Sequence, residues 1–242
     1  MTVGNGVRHT GYDRWRMSWN GNLFAPPPSG SVLYYPGYPG TGSTITDFSG
    51  SGNNGTIANA IWRRLPSGLW YLEFDGTDDY VDTNPIVPDF DEESIVSIEI
   101  WAQVLTGCGE NTYIIALPES SSTNGVDLRW GGNTIYWDLF THADSSSTDV
   151  TSAISLNTWY HLALTYDGTT LIGYKDGASI GSHDVTVGTG IKHALKRLSI
   201  GSLSTTNYES KSRSTIVRIY DSPLSATTVA THYQQERHLF GV

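Results

Sequence analysis

From Val32 onward, clusters of Gly, Asn, Asp, Ser and Pro cut the chain into short apolar runs at intervals of roughly ten residues. Runs that short cannot build long helices, and their alternation of apolar with polar residues has the two-residue period of a strand with one buried face. In segment 95–104, Val96, Ile98, Ile100, Ala102 and Val104 share one face, opposite Ser97, Glu99, Trp101 and Gln103. In segment 159–166, Tyr160, Leu162, Leu164 and Tyr166 oppose Trp159, His161, Ala163 and Thr165. Further strands are expected at 69–74, 126–130, 135–140, 171–175, 197–200 and 215–220, with Asp176-Gly177 as a two-residue hairpin turn. One helix is expected, capped by Ser225 and running to Gln235, with Val229 and Tyr233 one turn apart. The pattern predicts an all-β antiparallel sandwich.

Ser, Thr and Gly make up 80 of the 242 residues, a bias that suits strands and turns but also disorder. The 28 aromatic residues, eight of them Trp, decide for a folded domain, because they need a core. Fourteen Lys and Arg against 24 Asp and Glu give a net charge of −10, which argues against nucleic acid and anionic membrane surfaces as partners. No apolar stretch approaches the ~18 residues of a membrane-spanning helix, so no membrane insertion is expected. Cys108 is the one cysteine, which excludes an intrachain disulfide and any multi-cysteine metal centre.

Residues 1–30 read differently from the sandwich at 31–242. Arg8, Arg14 and Arg16 alternate with Tyr12, Trp15 and Trp19, and Pro26-Pro27-Pro28 stiffens the chain before Ser29-Gly30. This segment is either an extra edge strand or an assembly arm, with Arg14, Trp15, Arg16 and Trp19 as its interface anchors. Met1 to Gly6 lack the charged and apolar regions of a secretory signal. The expectation is a chain made in the cytoplasm, with a secreted fragment as the alternative.

The residues also resemble a family. Thr46-Asp47-Phe48-Ser49-Gly50-Ser51-Gly52-Asn53-Asn54-Gly55-Thr56 and Leu72-Glu73-Phe74-Asp75-Gly76-Thr77-Asp78-Asp79-Tyr80-Val81 resemble the opening of laminin-G-like, concanavalin A-like jelly-roll domains. Ile98-Glu99-Ile100-Trp101, Trp159-Tyr160-His161-Leu162-Ala163, Tyr174-Lys175-Asp176-Gly177 and Val217-Arg218-Ile219-Tyr220 follow in the family's order, over about residues 32 to 235. The resemblance implies an antiparallel jelly-roll β-sandwich, an architecture that hosts lectins, glycosidases, adhesion domains and virion proteins. It departs from the family at Thr215-Ile216, where an acidic pair often stands. It also implies a structural calcium in many relatives, and the oxygen ligands here would come from Asp47, Asn53, Asp75 and Asp78. No other cofactor is required.

Gly50-Ser51-Gly52-Asn53-Asn54-Gly55 matches a dinucleotide fingerprint only formally, since no apolar strand precedes it and no amphipathic helix follows. Glycoside hydrolysis needs two carboxyl groups about 5 to 9.5 Å apart. Glu99 is alone in its strand, and the run Asp89, Asp91, Glu92, Glu93 reads as a solvated loop. No G-x-S-x-G elbow or zinc-spaced histidine pair occurs, and His161 reads as a packed or surface residue. Sugar recognition needs an aromatic platform ringed by polar groups, which Trp130, Asn133, Tyr136, Trp137, Asp138 and His142 would supply in one hairpin. Alternation sends Tyr136 and Trp137 to opposite faces, so only one can meet a sugar.

These features lead to the expectation of a non-enzymatic structural or adhesive surface protein. It would be a decoration, fibre or receptor-facing component of a virion like that of a tailed phage. Its partners would be copies of itself or other particle subunits, and cell-surface glycans bound weakly. A free carbohydrate-binding module and a glycoside hydrolase are the alternatives.

Overall fold

The structure, a computed structural model, describes residues 16–17, 23–24, 29–38, 40–86, 88–90, 95–118, 120, 124–142, 148–185, 190–193, 195–204 and 208–242. Strands β1 (Arg16–Met17) and β2 (Leu23–Phe24) pair antiparallel with each other. Arg14, Trp15 and Trp19 lie outside the described residues, as do Asp91, Glu92 and Glu93. The sandwich begins at β3 (Ser31–Tyr35), followed by β4 (Thr44–Ile45), β5 (Gly55–Ala58), β6 (Ile61–Arg64), β7 (Trp70–Asp75), β8 (Tyr80–Thr83), β9 (Val96–Val104) and β10 (Thr112–Pro118). Then come β11 (Asn124–Gly131), β12 (Thr134–Leu139), β13 (Thr148–Ala153), β14 (Tyr160–Tyr166), β15 (Thr170–Lys175), β16 (Ala178–Asp184), β17 (Leu198–Ile200), β18 (Lys211–Tyr220) and helix α1 (Ala226–Phe240).

The first sheet runs β16-β15-β14-β9-β18-β7-β6, with β3 also paired to β18; the second runs β13-β12-β11-β10-β17-β8-β5-β4. The ladders within each sheet are antiparallel, as the strand spacing predicts. The core fills the space between the sheets: Ile98, Ile100, Leu162, Leu164, Val217 and Ile219 face Ile115, Leu128, Trp130, Ile135, Trp137 and Ile200. Gly173 on β15 makes room for the largest of these, since a Cβ there would meet the Trp137 ring at 3.3 Å. The turn Asp176-Gly177 has φ of 52° and 78°, the left-handed pair that a tight two-residue hairpin requires.

Two expectations change. Strand β9 alternates as expected but is buried on both faces, because α1 covers Glu99 and Trp101 on the side that reads as polar. The helix runs past Gln235 to Phe240, where Leu239 and Phe240 dock on an aromatic group formed by Tyr34, Tyr71, Trp101 and Trp159. Ser225 caps its start by accepting from the Thr228 N–H, and Gly241, at φ 73°, ends it. Strand β18 contains a bulge: Thr215 pairs with Trp101 and Val217 with Ile100, leaving Ile216 unpaired at φ 45°. The extra residue keeps Val217 and Ile219 in the core and Arg218 under the helix.

Candidate functional site

The β11–β12 hairpin turns through Gly132 and Asn133, both left-handed, and Asn133 is exposed at its tip. Tyr136 points away from the core and Trp137 into it, as alternation requires. Trp130 and Trp137 are 3% and 0% exposed, so neither ring offers a face for stacking, and their expected role on a sugar is corrected to core packing. Asp138 is also buried, its Oδ2 accepting from Arg129 Nε at 2.9 Å. The same guanidinium donates to Asn111 Oδ1 at 2.9 Å and lies 4.1 Å over the Tyr136 ring. Of the six hairpin residues, half-buried Tyr136 and exposed Asn133 and His142 remain on the surface.

Asp138 stands directly between Asp127 on β11 and Asp149 on β13, a row of three carboxyls across neighbouring strands. Burial raises the Asp138 carboxyl above the ordinary aspartate range, against the Arg129 charge that holds it down. Asp127 and Asp138 are both fully shielded from solvent, which suits a pair that fixes strand register better than one that acts on a substrate. The row was legible only through its turn: with Gly132-Asn133 at the tip, Asp127 and Asp138 fall opposite each other.

Glu99 is not alone. Its Oε2 lies 2.8 Å from His232 Nδ1 and 3.8 Å from Arg218 Nη1, and its Oε1 lies 3.6 Å from His161 Nε2. Arg218 in turn donates to Glu236 on α1, which also accepts from Trp101 Nε1 at 2.7 Å. Burial pushes the nearby Tyr34 hydroxyl up to about 12, with the Arg218 charge acting against it and the Glu236 charge with it. Burial likewise raises the half-buried Cys108 thiol, which shares a hydrogen bond with Thr112 Oγ1.

A cleft of about 250 Å³ opens where the β5–β6 turn, the β7–β8 turn and the ends of β9 and β18 converge. Asn59, Ile61, Asp75, Asp78, Asp79 and Lys211 line it. Carboxylate oxygens of Asp75, Asp78 and Asp79 lie within 4.8 Å of one another. The turn holds them there: Asp79 Oδ2 accepts from the Asp75 N–H at 2.7 Å, and Asp75 Oδ1 from the Thr77 N–H at 2.8 Å. Burial, together with the Asp75 and Asp78 charges, raises the Asp79 carboxyl despite the Asp75 hydrogen bond. Several hard oxygens that repel one another are the donor set a calcium ion suits. Beside them Ile61, 50% exposed, gives the rim an apolar surface.

Asp47 and Asn53 serve another loop. Asp47 Oδ1 accepts from the Tyr34 and Ser49 N–H groups, and Oδ2 from Ser49 Oγ and the Asn53 N–H, at 2.8 to 2.9 Å. The Asn53 side chain donates to the Val32 carbonyl at 2.8 Å. These residues close a turn in which Gly50 and Gly52 take φ of 99° and 83°, so the expectation that they join Asp75 and Asp78 around a metal is corrected.

A family model described as the concanavalin A-like lectin/glucanases superfamily matches residues 75–230. Among solved structures, the botulinum neurotoxin type G receptor-binding domain is 17% identical at a TM-score of 0.64, with 85% of this chain and 51% of that one covered. The binding domain of botulinum neurotoxin serotype D is 16% identical at 0.68, covering 86% and 51%. A Trypanosoma rangeli sialidase in complex with sialic acid is 16% identical at 0.66, covering 93% and 36%. The chain therefore spans about half the length of the neurotoxin domains and about a third of the sialidase. At these identities the likeness is one of fold. No curated protein matches the chain significantly.

Proposed function

The chain belongs to the concanavalin A-like lectin/glucanases superfamily, and on that premise we propose that it is a non-enzymatic adhesive surface protein that contacts glycans through the acidic cleft. The observation that carries the reading is the cleft itself, where three carboxylates converge beside exposed Ile61. Hydroxyl-rich ligands combine apolar ring faces with oxygens that can complete the shell of a bound cation, and the cleft offers a counterpart to both. The receptor-binding role named for the neurotoxin domains and the sialic acid held by the sialidase support the same class of ligand. A calcium ion at Asp75, Asp78 and Asp79 would be structural, ordering the β7–β8 turn. Two arrangements support the non-enzymatic reading: Glu99 is engaged by His232 and Arg218 beneath the helix, and the Asp127–Asp138 pair is sealed from solvent.

Presentation on a virion or other extracellular particle is the finer part of the proposal. It rests on the acidic, Ser/Thr/Gly-rich composition and on the Arg- and Trp-rich segment before the sandwich. Arrayed copies would raise a millimolar single-site affinity, ~4 kcal/mol, by avidity. A glycan array probed with wild type, Asp78→Ala and Ile61→Ala, each with calcium and with chelator, tests the cleft: both substitutions should erase binding without unfolding. Retained binding in both variants would overturn it. Removing residues 1–28 tests assembly, and an unchanged oligomeric state in light scattering would remove the arm from the account.

A further inference from the structure

The buried group beneath α1 has one misfit. His161 on β14 is fully buried, and neither ring nitrogen has a hydrogen-bond partner among the described residues. Its ring lies between Trp101 at 5.4 Å and Tyr233 at 6.2 Å, with Glu99 Oε1 at 3.6 Å from Nε2. Glu99 Oε1 is likewise without a hydrogen bond. Buried polar atoms without partners cost stability, so the docked structure carries a penalty at this place.

The helix touches the sheet along one side, where Phe240 and Tyr233 stack on Trp101. Of its fifteen residues only Val229, Glu236 and Leu239 are buried, and one of those three is a carboxylate. It is the last element, joined to β18 by a short link in which Ser97 Oγ donates to the Ser222 carbonyl and accepts from the Leu224 N–H. Lifting it would break no strand pairing. We propose that α1 is an acid-released latch, lying on the first sheet while the His161–Glu99 pair is low in protons and lifting when protons enter it, which uncovers Trp101, Trp159, Tyr34 and Tyr71.

The direction follows from the groups around His161. Burial lowers its proton affinity; Glu99 and Glu236 act against burial, and Arg218 and His232 act with it, leaving the docked histidine below its ordinary value. Once the helix lifts, the ring returns toward about 6.5. Below that pH the lifted state binds a proton that the docked state refuses, so acid weakens docking by up to about tenfold per pH unit. Burial would raise Glu99, but the His232 hydrogen bond and the charges of Arg218, His161 and His232 outweigh it and lower the carboxyl. Glu99 therefore adds a second step of the same sign in the carboxylate range. Asp176, which accepts from the His161 N–H and faces Lys175 and Arg237, is raised by burial and acts oppositely, again only in that range. Tyr34 and Tyr220 beside Arg218 are both raised and stay neutral throughout. The step between pH 6.5 and 5 is left to the histidine.

Hydrogen–deuterium exchange of the full chain at pH 7.5 and 5.0, corrected for intrinsic rates, reads the latch directly. Protection of 229–240 should fall by up to about 30-fold, the ratio for one proton binding near 6.5, while β9, β14 and β18 keep theirs. His161→Gln should flatten the step. Equal helix protection at both pH values, loss of strand protection together with the helix, or an undiminished step in His161→Gln would each overturn the proposal. Should that variant not fold, His161→Phe takes its place, and the wild-type pair of measurements decides by whether the loss is confined to the helix.

Discussion

The indole N–H of Trp101 donates to Glu236 Oε2 at 2.7 Å, so a strand at the centre of the first sheet is tied to the last helix across 135 positions of sequence. The other oxygen of Glu236 takes the Arg218 guanidinium, and both side chains are almost wholly buried. Truncating one member of a buried ion pair leaves the other charge unmatched. Glu236→Ala should cost about 3–5 kcal/mol in urea denaturation, and Glu236→Gln, which keeps an acceptor for Trp101, should cost less. Equal costs would mean that the acceptor kept for Trp101 is immaterial and that the lost charge sets the whole penalty.

Asp47 and Asp78 should separate under chelation. Asp47→Ala strips four hydrogen bonds from its turn and should lose about 1–3 kcal/mol whether or not calcium is present. Asp78→Ala, at an exposed position, should leave the metal-free melting temperature nearly unchanged and abolish any drop caused by chelator. A chelator response that survives in Asp78→Ala and vanishes in Asp47→Ala would reverse the assignment.

Adjacent aromatics on β12 should differ sharply. Trp137→Ala empties the centre of the sandwich and should cost about 3–5 kcal/mol, whereas Tyr136→Ala removes a ring under Arg129 and should cost about 1 kcal/mol or less. Gly173→Ala should reproduce part of the Trp137 loss, about 1–3 kcal/mol, by pressing a methyl group against that ring. Thermal melts of the three variants are sufficient to check the order.

The Asp138 carboxyl gives a pH dependence of known sign. Because burial raises its folded value above the unfolded one, the folded state takes up a proton first as pH falls. Stability of the wild type relative to Asp138→Asn should therefore improve as pH drops from the raised value to the ordinary aspartate value, near 3.9. Denaturation curves at pH 4, 5, 6 and 7 would show the two proteins converging or crossing in that direction; a constant difference would count against it.

Much of the fold was legible because strands announce themselves locally. The alternation in 95–104 and 159–166, the Asp176-Gly177 turn and the Ser225 cap each follow from a few adjacent residues, and each stands where it was expected. The site was harder to read. Asp47 has the same composition cues as Asp75, but its oxygens are saturated by its own turn, which composition alone does not reveal. Asp127 and Asp138 are matched by a two-residue turn, yet the Asp138–Asp149 pairing crosses a segment whose length sets no register. Glu99 and Glu236 share Arg218 only through packing of a helix on a sheet, and the one local hint was Trp101, an aromatic on the polar face of β9.

The unpaired Ile216 makes β18 a sequence with two reading frames. Up to Thr215 one parity of positions faces the core; from Val217 the other parity does, and the change of frame is carried by a single left-handed residue. Substitutions at 216 alter one side chain, whereas removing that residue would put Val217 directly after Thr215 and leave one unbroken alternation, with Val217 still opposite Ile100 and Arg218 still beneath the helix. A one-residue deletion elsewhere in β18 would instead turn the positions on one side of it to the opposite face and should be far more disruptive. The bulge is therefore the place in β18 where the chain can lose a residue and keep both of its faces.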